Sequence, residues 1–356
     1  MRNLDETRGR STAMTPRHHT VPQMYLRYFA NNSKHVVIVS RDDPSLHHRI
    51  AVKNAVAEVG FYRIEVDELE RAEDRATFDP ESIEHGLSGI EGAAAPTLDK
   101  VIATGVDELT LWEQYQLFQF IAVQTARGQG WRDDVTALLN HAARTEFLSN
   151  LTADRAQEWL VEQGKPHAPE DVEAYLKLVA SSAFPSLVVP KAILVQESLK
   201  MALGTDDRVG LARFLLGRRV RLIKPTNVAV LTSDEPVCWW SPGNVPVGYA
   251  NAQVVWLPLT PRLILQLSLP TFEEEDALGL NEDDEIVRFI NMQVAGQARR
   301  WIVHHPEDSP LDGTVLPLRQ VWADELVGVE EDGNERRELW IHRRLRQDFG
   351  APPTVP

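Results

Sequence analysis

Leu111, Trp112, Tyr115, Phe118, Ile121 and Ala122 recur at helical spacing and give residues 108–128 a wide apolar face, so this segment reads as the strongest helix of the chain. Gly128-Gln129-Gly130 marks its end. A helix is expected before it at 81–104, and others after it at about 131–149, 153–163, 168–180 and 189–203, with Pro166, Pro169, Pro185 and Pro190 at the breaks. Near residue 218 short β-branched and apolar runs take over, at 219–223, 227–232, 253–257 and 263–269, followed by a helix at 282–303. Upstream, His35–Ser40 reads as a buried strand closed by the turn Arg41-Asp42-Asp43-Pro44. The fold class expected is α+β, a mainly helical body packed on a small antiparallel sheet. Residues 1–14 read as a disordered polar tail, 15–305 as one domain, and 306–356 as a charged appendage with one helix at 334–348.

The 37 Lys and Arg against 52 Asp and Glu leave a net charge of −15, which opposes binding to nucleic acid or an anionic membrane. Arg213, Arg218, Arg219, Arg221 and Lys224 form the one basic run, which reads more simply as a charged turn after a helix. Cys238 is the single cysteine, so neither a disulfide framework nor a multi-cysteine metal site is expected. The N-terminal residues lack the apolar core of a signal peptide, and no apolar run reaches the ~18 residues that span a bilayer. A cytoplasmic protein without membrane contact is expected. P-loop, Gly-x-Gly-x-x-Gly, His-Glu-x-x-His and zinc-ribbon patterns are absent.

The polar candidates begin at His18-His19. Thr20 and Gln23 have capping-box spacing and Pro22 suits a first turn, which places two histidines before a helix N-terminus. His19 can move a proton near neutrality, or simply cap that helix. His18 reads as its solvated neighbour. Glu91 lies two helical turns after Glu84 on one face and suits a general base or a metal ligand; Glu84 reads as part of a solvent stripe. Gln124 and Arg127, one turn apart, suit a fork-like grip on a carboxylate or phosphate, with an internal salt bridge from Arg127 to Glu91 or Asp234 as the plainer reading. Asp234 follows a strand in Thr232-Ser233-Asp234-Glu235-Pro236 and suits water activation, metal binding or orientation of His19, against a structural turn before proline. Ser233 lacks a nucleophile elbow. Trp239-Trp240 suits a cleft wall or a core, and the pairs His47-His48 and His304-His305 do not have chelating spacing.

Five blocks in order carry a resemblance to a known family. They are His19, Pro22, Tyr25-Leu26-Arg27 and Phe29; Glu58-Val59-Gly60-Phe61-Tyr62 with Ile90-Glu91; Phe120-Ile121-Ala122-Val123-Gln124-Thr125-Ala126-Arg127; Leu231 to Val237; and Leu257-Pro258-Leu259-Thr260-Pro261. In these the chain resembles the bacterial domain-of-unknown-function 4238 family over about residues 15–305. The resemblance implies positions and no established activity.

Two functions are expected. One is a hydrolase, nuclease-like or acting on a small anionic substrate, with His19, Glu91 and Asp234 as catalytic groups, Gln124 and Arg127 as substrate-binding groups, and a divalent metal as an optional cofactor. The other is a noncatalytic binding or regulatory module, linked to phage or mobile-element biology, in which the same residues form a structural polar network. The charge leaves small phosphorylated or carboxylated ligands in play for the first. Oligomeric state is not legible.

Overall fold

Short strands near the start of the chain set up the fold. Arg17–His19 (β1) pairs antiparallel with Ala57–Val59 (β4), His18 opposite Glu58. Between them lie helix α1 (Gln23–Leu26), a 3-10 turn at Arg27–Phe29, and the hairpin of β2 (His35–Ser40) with β3 (His47–Ala51). The computed structural model describes residues 17–63, 79, 81–180, 189–205, 208–242, 247–249, 251–273, 283–316, 321–332 and 335–345. The tail at 1–14 and the break at Pro185 lie outside the described residues.

Five α-helices and one more after a break form the centre: α2 (Ser82–Thr104), α3 (Leu111–Ala126), α4 (Gln129–Asn150), α5 (Ala153–Glu162), α6 (Pro169–Ala180) and α7 (Lys191–Leu203). A capping box at Thr110 and Glu113 starts α3. The pairing of Gly204–Thr205 (β5) with Arg208–Val209 (β6) leads into a sheet of order β7-β11-β10-β9, from Arg219–Ile223 (β7), Cys238–Trp240 (β9), Val254–Thr260 (β10) and Leu263–Ser268 (β11). Thr232–Ser233 (β8) and Trp301–His304 (β12) join the first hairpin in a second four-stranded sheet of order β3-β2-β12-β8. Helix α8 (Asp283–Gln297) connects the two sheets in sequence. Helices and small antiparallel sheets together make the α+β class expected.

Tyr25 stands at the centre of the core. Its ring is fully buried and packs near Phe29 and Phe120. Its hydroxyl donates to the Pro258 carbonyl at 2.5 Å, with Thr232 Oγ1 2.8 Å away. One side chain thus joins α1 to both sheets. Trp240, Trp256 and Phe289 extend the same core in tilted and edge-on contacts, so the paired tryptophan Trp239 and its neighbour belong to packing, with Trp239 5% exposed.

Several expectations change. Thr20 gives its hydroxyl and N–H to the Val56 carbonyl, at 3.3 and 3.1 Å, so it serves the β1–β4 ribbon and not a capping box; Pro22 is the N-cap and α1 is a single turn. Leu111, Trp112 and Tyr115 are exposed, because the buried face of α3 begins only at Leu117. The 227–232 strand shrinks to β8. The helix expected to run to 303 stops at Gln297, where the N–H groups of Arg299, Arg300 and Trp301 turn to the Asp234 carboxylate. The helix expected at 334–348 is a strand: Val321–Asp332 (β13) pairs antiparallel with Glu335–Leu345 (β14), where Leu339-Trp340-Ile341 favours an extended chain. Within the basic run, Arg219 pairs with Glu273 and Arg221 with Asp283, while Arg218 donates to the carbonyls of Phe214, Ala252, Gln253 and Leu267. No described helix is long and apolar enough to cross a membrane.

Replacing Tyr25 with Phe leaves the Pro258 carbonyl buried without its donor. The expected loss in urea unfolding is about 1–3 kcal/mol with an unchanged m-value; a loss below ~0.5 kcal/mol removes this bond from the account of the core.

Candidate functional site

Strand alternation turns His18 inward and His19 outward along β1. His18 is 2% exposed. The Tyr62 N–H donates to its Nδ1 at 2.8 Å, so the ring proton sits on Nε2 and is donated to Glu81 Oε2 at 2.6 Å. Arg63 Nη1 completes that carboxylate, donating to Oε1 at 2.9 Å. The β1–β4 ribbon is thereby tied to the N-cap residue of α2.

One turn into α2 stands Glu84, and two turns further along the same face stands Glu91. Helix α3 approaches from the other side and presents Gln124 and, at its C-cap, Arg127. The Arg127 guanidinium is buried and donates in three directions: Nε to the Tyr62 hydroxyl at 2.9 Å, Nη1 to Glu91 Oε1 at 2.6 Å, and Nη2 to the His19 carbonyl at 2.6 Å. Burial works against its charge, but Tyr62 and Glu91 outweigh that and hold its pKa above the ordinary arginine value. The internal salt bridge to Glu91 is therefore present.

Tyr62 lies between two arginines. Arg127 sits 5.4 Å from the ring centroid and Arg132, from the start of α4, sits 5.2 Å away while stacking at 3.8 Å over Phe61. Arg132 is 6% exposed. Its Nη1 donates to the Phe61 carbonyl at 3.1 Å, its Nε has no partner, and among the described residues no carboxylate lies within ion-pair distance of it. Burial pushes its pKa down. Two arginines five residues apart thus have opposite surroundings.

Further polar atoms close to this centre are bare. Both amide atoms of Gln124, itself 2% exposed, are buried without partners, as are Trp131 Nε1 and Glu84 Oε2. Glu84 feels the charges of Arg127 and His18 yet bonds neither, and burial raises its carboxyl above the usual range.

The other expected groups serve elsewhere. The His19 ring meets the Lys53 carbonyl at 3.2 Å, and burial lowers its pKa; it is the His19 main-chain carbonyl that reaches Arg127. Asp234 accepts from the N–H groups of Arg299, Arg300 and Trp301 at 2.9, 2.7 and 3.1 Å, and none of these bonds leads to His19 or Glu91. Burial pushes its carboxyl up to about 6 while those three donors work the other way. Glu235 next to it accepts from the Gly130 N–H at 2.6 Å in the first turn of α4; a side chain at Gly128 would crowd it, since a Cβ there lies 3.3 Å from its Cγ. Ser233 Oγ is held in a turn by the Glu235 N–H and carbonyl. Among the described residues no group of three or more His, Cys, Asp or Glu is placed to hold a metal ion. The sequence reads His18 as a solvated neighbour and Glu84 as part of a solvent stripe, whereas His18 and the Glu84 Oε2 atom are buried; Arg132 is not singled out from sequence, and β-alternation around His18 is the available signal.

The model of the family described as "Protein of unknown function (DUF4238)" matches residues 17–308. The chain belongs to this family. No curated protein and no solved structure matches it. Of the blocks that carry the resemblance, those around His19, Glu58–Tyr62, Ile90-Glu91 and Phe120–Arg127 meet at the Arg127 guanidinium.

Removing Arg127 leaves Glu91 and the Tyr62 hydroxyl without their donor. Arg127→Met is expected to cost about 3–5 kcal/mol in urea unfolding, and Arg127→Lys to recover little, because an ammonium lacks the planar fork that reaches all three acceptors. For Asp234 the sign is opposite to that of a stabilising ion pair. Its carboxyl titrates near 6 when folded and near 3.8 when unfolded, so its penalty is fully present above about pH 6 and fades as pH falls towards 3.8. Wild type should therefore gain about 2.4 kcal/mol on Asp234→Asn between pH 7 and pH 4, where the unfolded carboxyl is already partly protonated. Parallel stability curves for the two proteins over that range refute it.

Proposed function

We propose that the protein is a noncatalytic binding module for a small anionic ligand, anchored by Arg132 and framed by the Arg127 network. The observation that carries this reading is the Arg132 guanidinium, buried against Phe61 with a bare Nε and no carboxylate at ion-pair distance among the described residues. A buried cation with no carboxylate at ion-pair distance, drawn on only by the more distant charges of Glu58 and Asp133, costs several kcal/mol, and an anion from solution is a species that offsets it. Trp131 Nε1 and Gln124 Nε2 supply further bare donors.

A hydrolase acting through His19, Glu91 and Asp234 has less behind it, since each of the three is engaged with a different part of the fold. The net charge of −15 supports a small anion over a nucleic acid as partner. A cytoplasmic location is part of the proposal and accords with a single, buried cysteine.

The test is thermal and urea unfolding in rising inorganic phosphate and acetate. One of these anions should stabilise wild type in a saturable way, by about 2.7 kcal/mol at a hundredfold excess over Kd. Arg132→Met should abolish that response and, without added anion, stand about 1–4 kcal/mol above wild type, because it replaces an unpaired buried charge with an apolar chain. Destabilisation of Arg132→Met on the scale expected for Arg127→Met would show that Arg132 is a structural group and end the proposal.

A further inference from the structure

The outer side of the α2–α3 pair carries a protrusion and a hollow next to each other. Leu111, Trp112 and Tyr115, in the first two turns of α3, are 85, 65 and 41% exposed. The Trp112 and Tyr115 rings pack together at 5.6 Å, and Gln119 Nε2 donates to the Tyr115 hydroxyl at 2.8 Å. Gln119 in turn lines a cavity of about 240 Å³ between the two helices, with Gly86, Gly89, Ile90, Ala93 and Gln116. That volume lies below the ~300–1,000 Å³ of small-molecule sites and suits one large side chain. Gly86, Gly89 and Gly92 occupy exposed positions inside α2, and a Cβ at any of them would meet no atom of the described residues within 4 Å. Each weakens the helix relative to alanine, and the described fold gains no packing from their small size.

We propose that this face joins two copies of the chain about a two-fold axis, the Trp112 indole of each copy filling the α2–α3 cavity of the other. Protrusion and hollow share one face, about 10 Å apart along α3 from Trp112 to Gln119 at 1.5 Å per residue, which is the self-complementarity an isologous contact requires. Tyr115 and Gln116 lie midway between them, so each meets its own counterpart beside the axis. Charge also selects a second copy. The exposed α2 positions from Gly86 to Ala93 are glycine, serine and alanine, and Glu113 on the adjoining turn of α3 is paired with Lys100 at 3.0 Å. Chains of net charge −15 repel one another, so a like copy approaches most favourably where the meeting surfaces are neutral. A basic partner gains nothing from this face. Leu111, Trp112 and Tyr115 leave roughly 350 Å² exposed per copy, a large patch for a monomer. Pairing removes about 700 Å² through these side chains alone, and contact along α2 raises the total towards the ~1,200 Å² at which stable interfaces begin. The dimer is accordingly weak, with a Kd on the order of 10 µM.

The experiment is sedimentation equilibrium of the full chain from about 1 to about 200 µM, which brackets that value. Wild type should pass from monomer to dimer across the range, and Trp112→Ala should weaken the dimer at least tenfold. Gly89→Gln fills the hollow from within α2 and causes no internal clash, since a Cβ there meets open space. It should unfold at or above the wild-type temperature and still weaken the dimer at least tenfold, a loss that a damaged fold would not explain. Under mild oxidation Tyr115→Cys should form an intermolecular disulfide faster than Leu46→Cys, which is exposed in the β2–β3 turn; the native Cys238 is buried. A chain still monomeric at the top of the range overturns the proposal and leaves the face to a different partner. A dimer that Trp112→Ala and Gly89→Gln leave intact forms through another face and overturns it equally.

Discussion

The Arg127 guanidinium is the interaction on which the local architecture depends. It draws Glu91 of α2, the Tyr62 hydroxyl and the His19 carbonyl of β1 to one planar group. Each acceptor belongs to a different stretch of chain, and the buried Tyr62 hydroxyl in particular would otherwise lack this donor. The guanidinium cannot lose its proton at any ordinary pH, so its side of the junction keeps its charge as pH rises. The ribbon, α2 and α3 are set in register by a group whose geometry admits little adjustment.

Against that frame, the neighbouring arginine is the anomaly. Arg132 is buried about as deeply as Arg127 but lacks an ion pair among the described residues. Folding does not stabilise such a charge for its own sake, and local departures from polar satisfaction concentrate where a protein binds something. Asp234 and Glu235 show the ordinary alternative. Both are carboxylates in or near the interior, and both are taken up by backbone N–H groups, the first at the end of α8 and the second at the start of α4. They serve the fold as hydrogen-bond acceptors at chain turns, which is why a polar residue after a strand is an ambiguous signal.

What could be read from the residues follows from how far each pattern reaches. Helices α2 to α7 were legible because apolar spacing and proline breaks are local signals, and the salt bridge of Arg127 with Glu91 was one of two pairings in view. The choice between Glu91 and Asp234 depended on the approach of α2 to α3, which no spacing within either helix encodes. His18 was undervalued because the segment looked like the lead-in to a helix. Once Thr20 bonds to Val56 and the segment becomes β1, alternation sends His18 inward, and a shift of one residue decides which histidine is buried. The tail was misread as a helix because charged residues flanking a short apolar run are compatible with either period until a partner strand is present.

By itself the sequence determined the α+β class, most helix positions, the family, and the fact that histidine, carboxylate and arginine would be candidates for a site. Those properties depend on composition and on patterns within a few turns of chain. Tertiary structure alone decided which arginine is partnered, which histidine faces inward, and that Asp234 serves a turn while Glu84 keeps a bare oxygen. The reason is that a buried polar group takes its character from whatever sits within hydrogen-bond reach, and here those neighbours come from segments as far apart as His19 and Arg127, or Asp234 and Arg300. Periodicity carries no information across such separations; only the packed chain does.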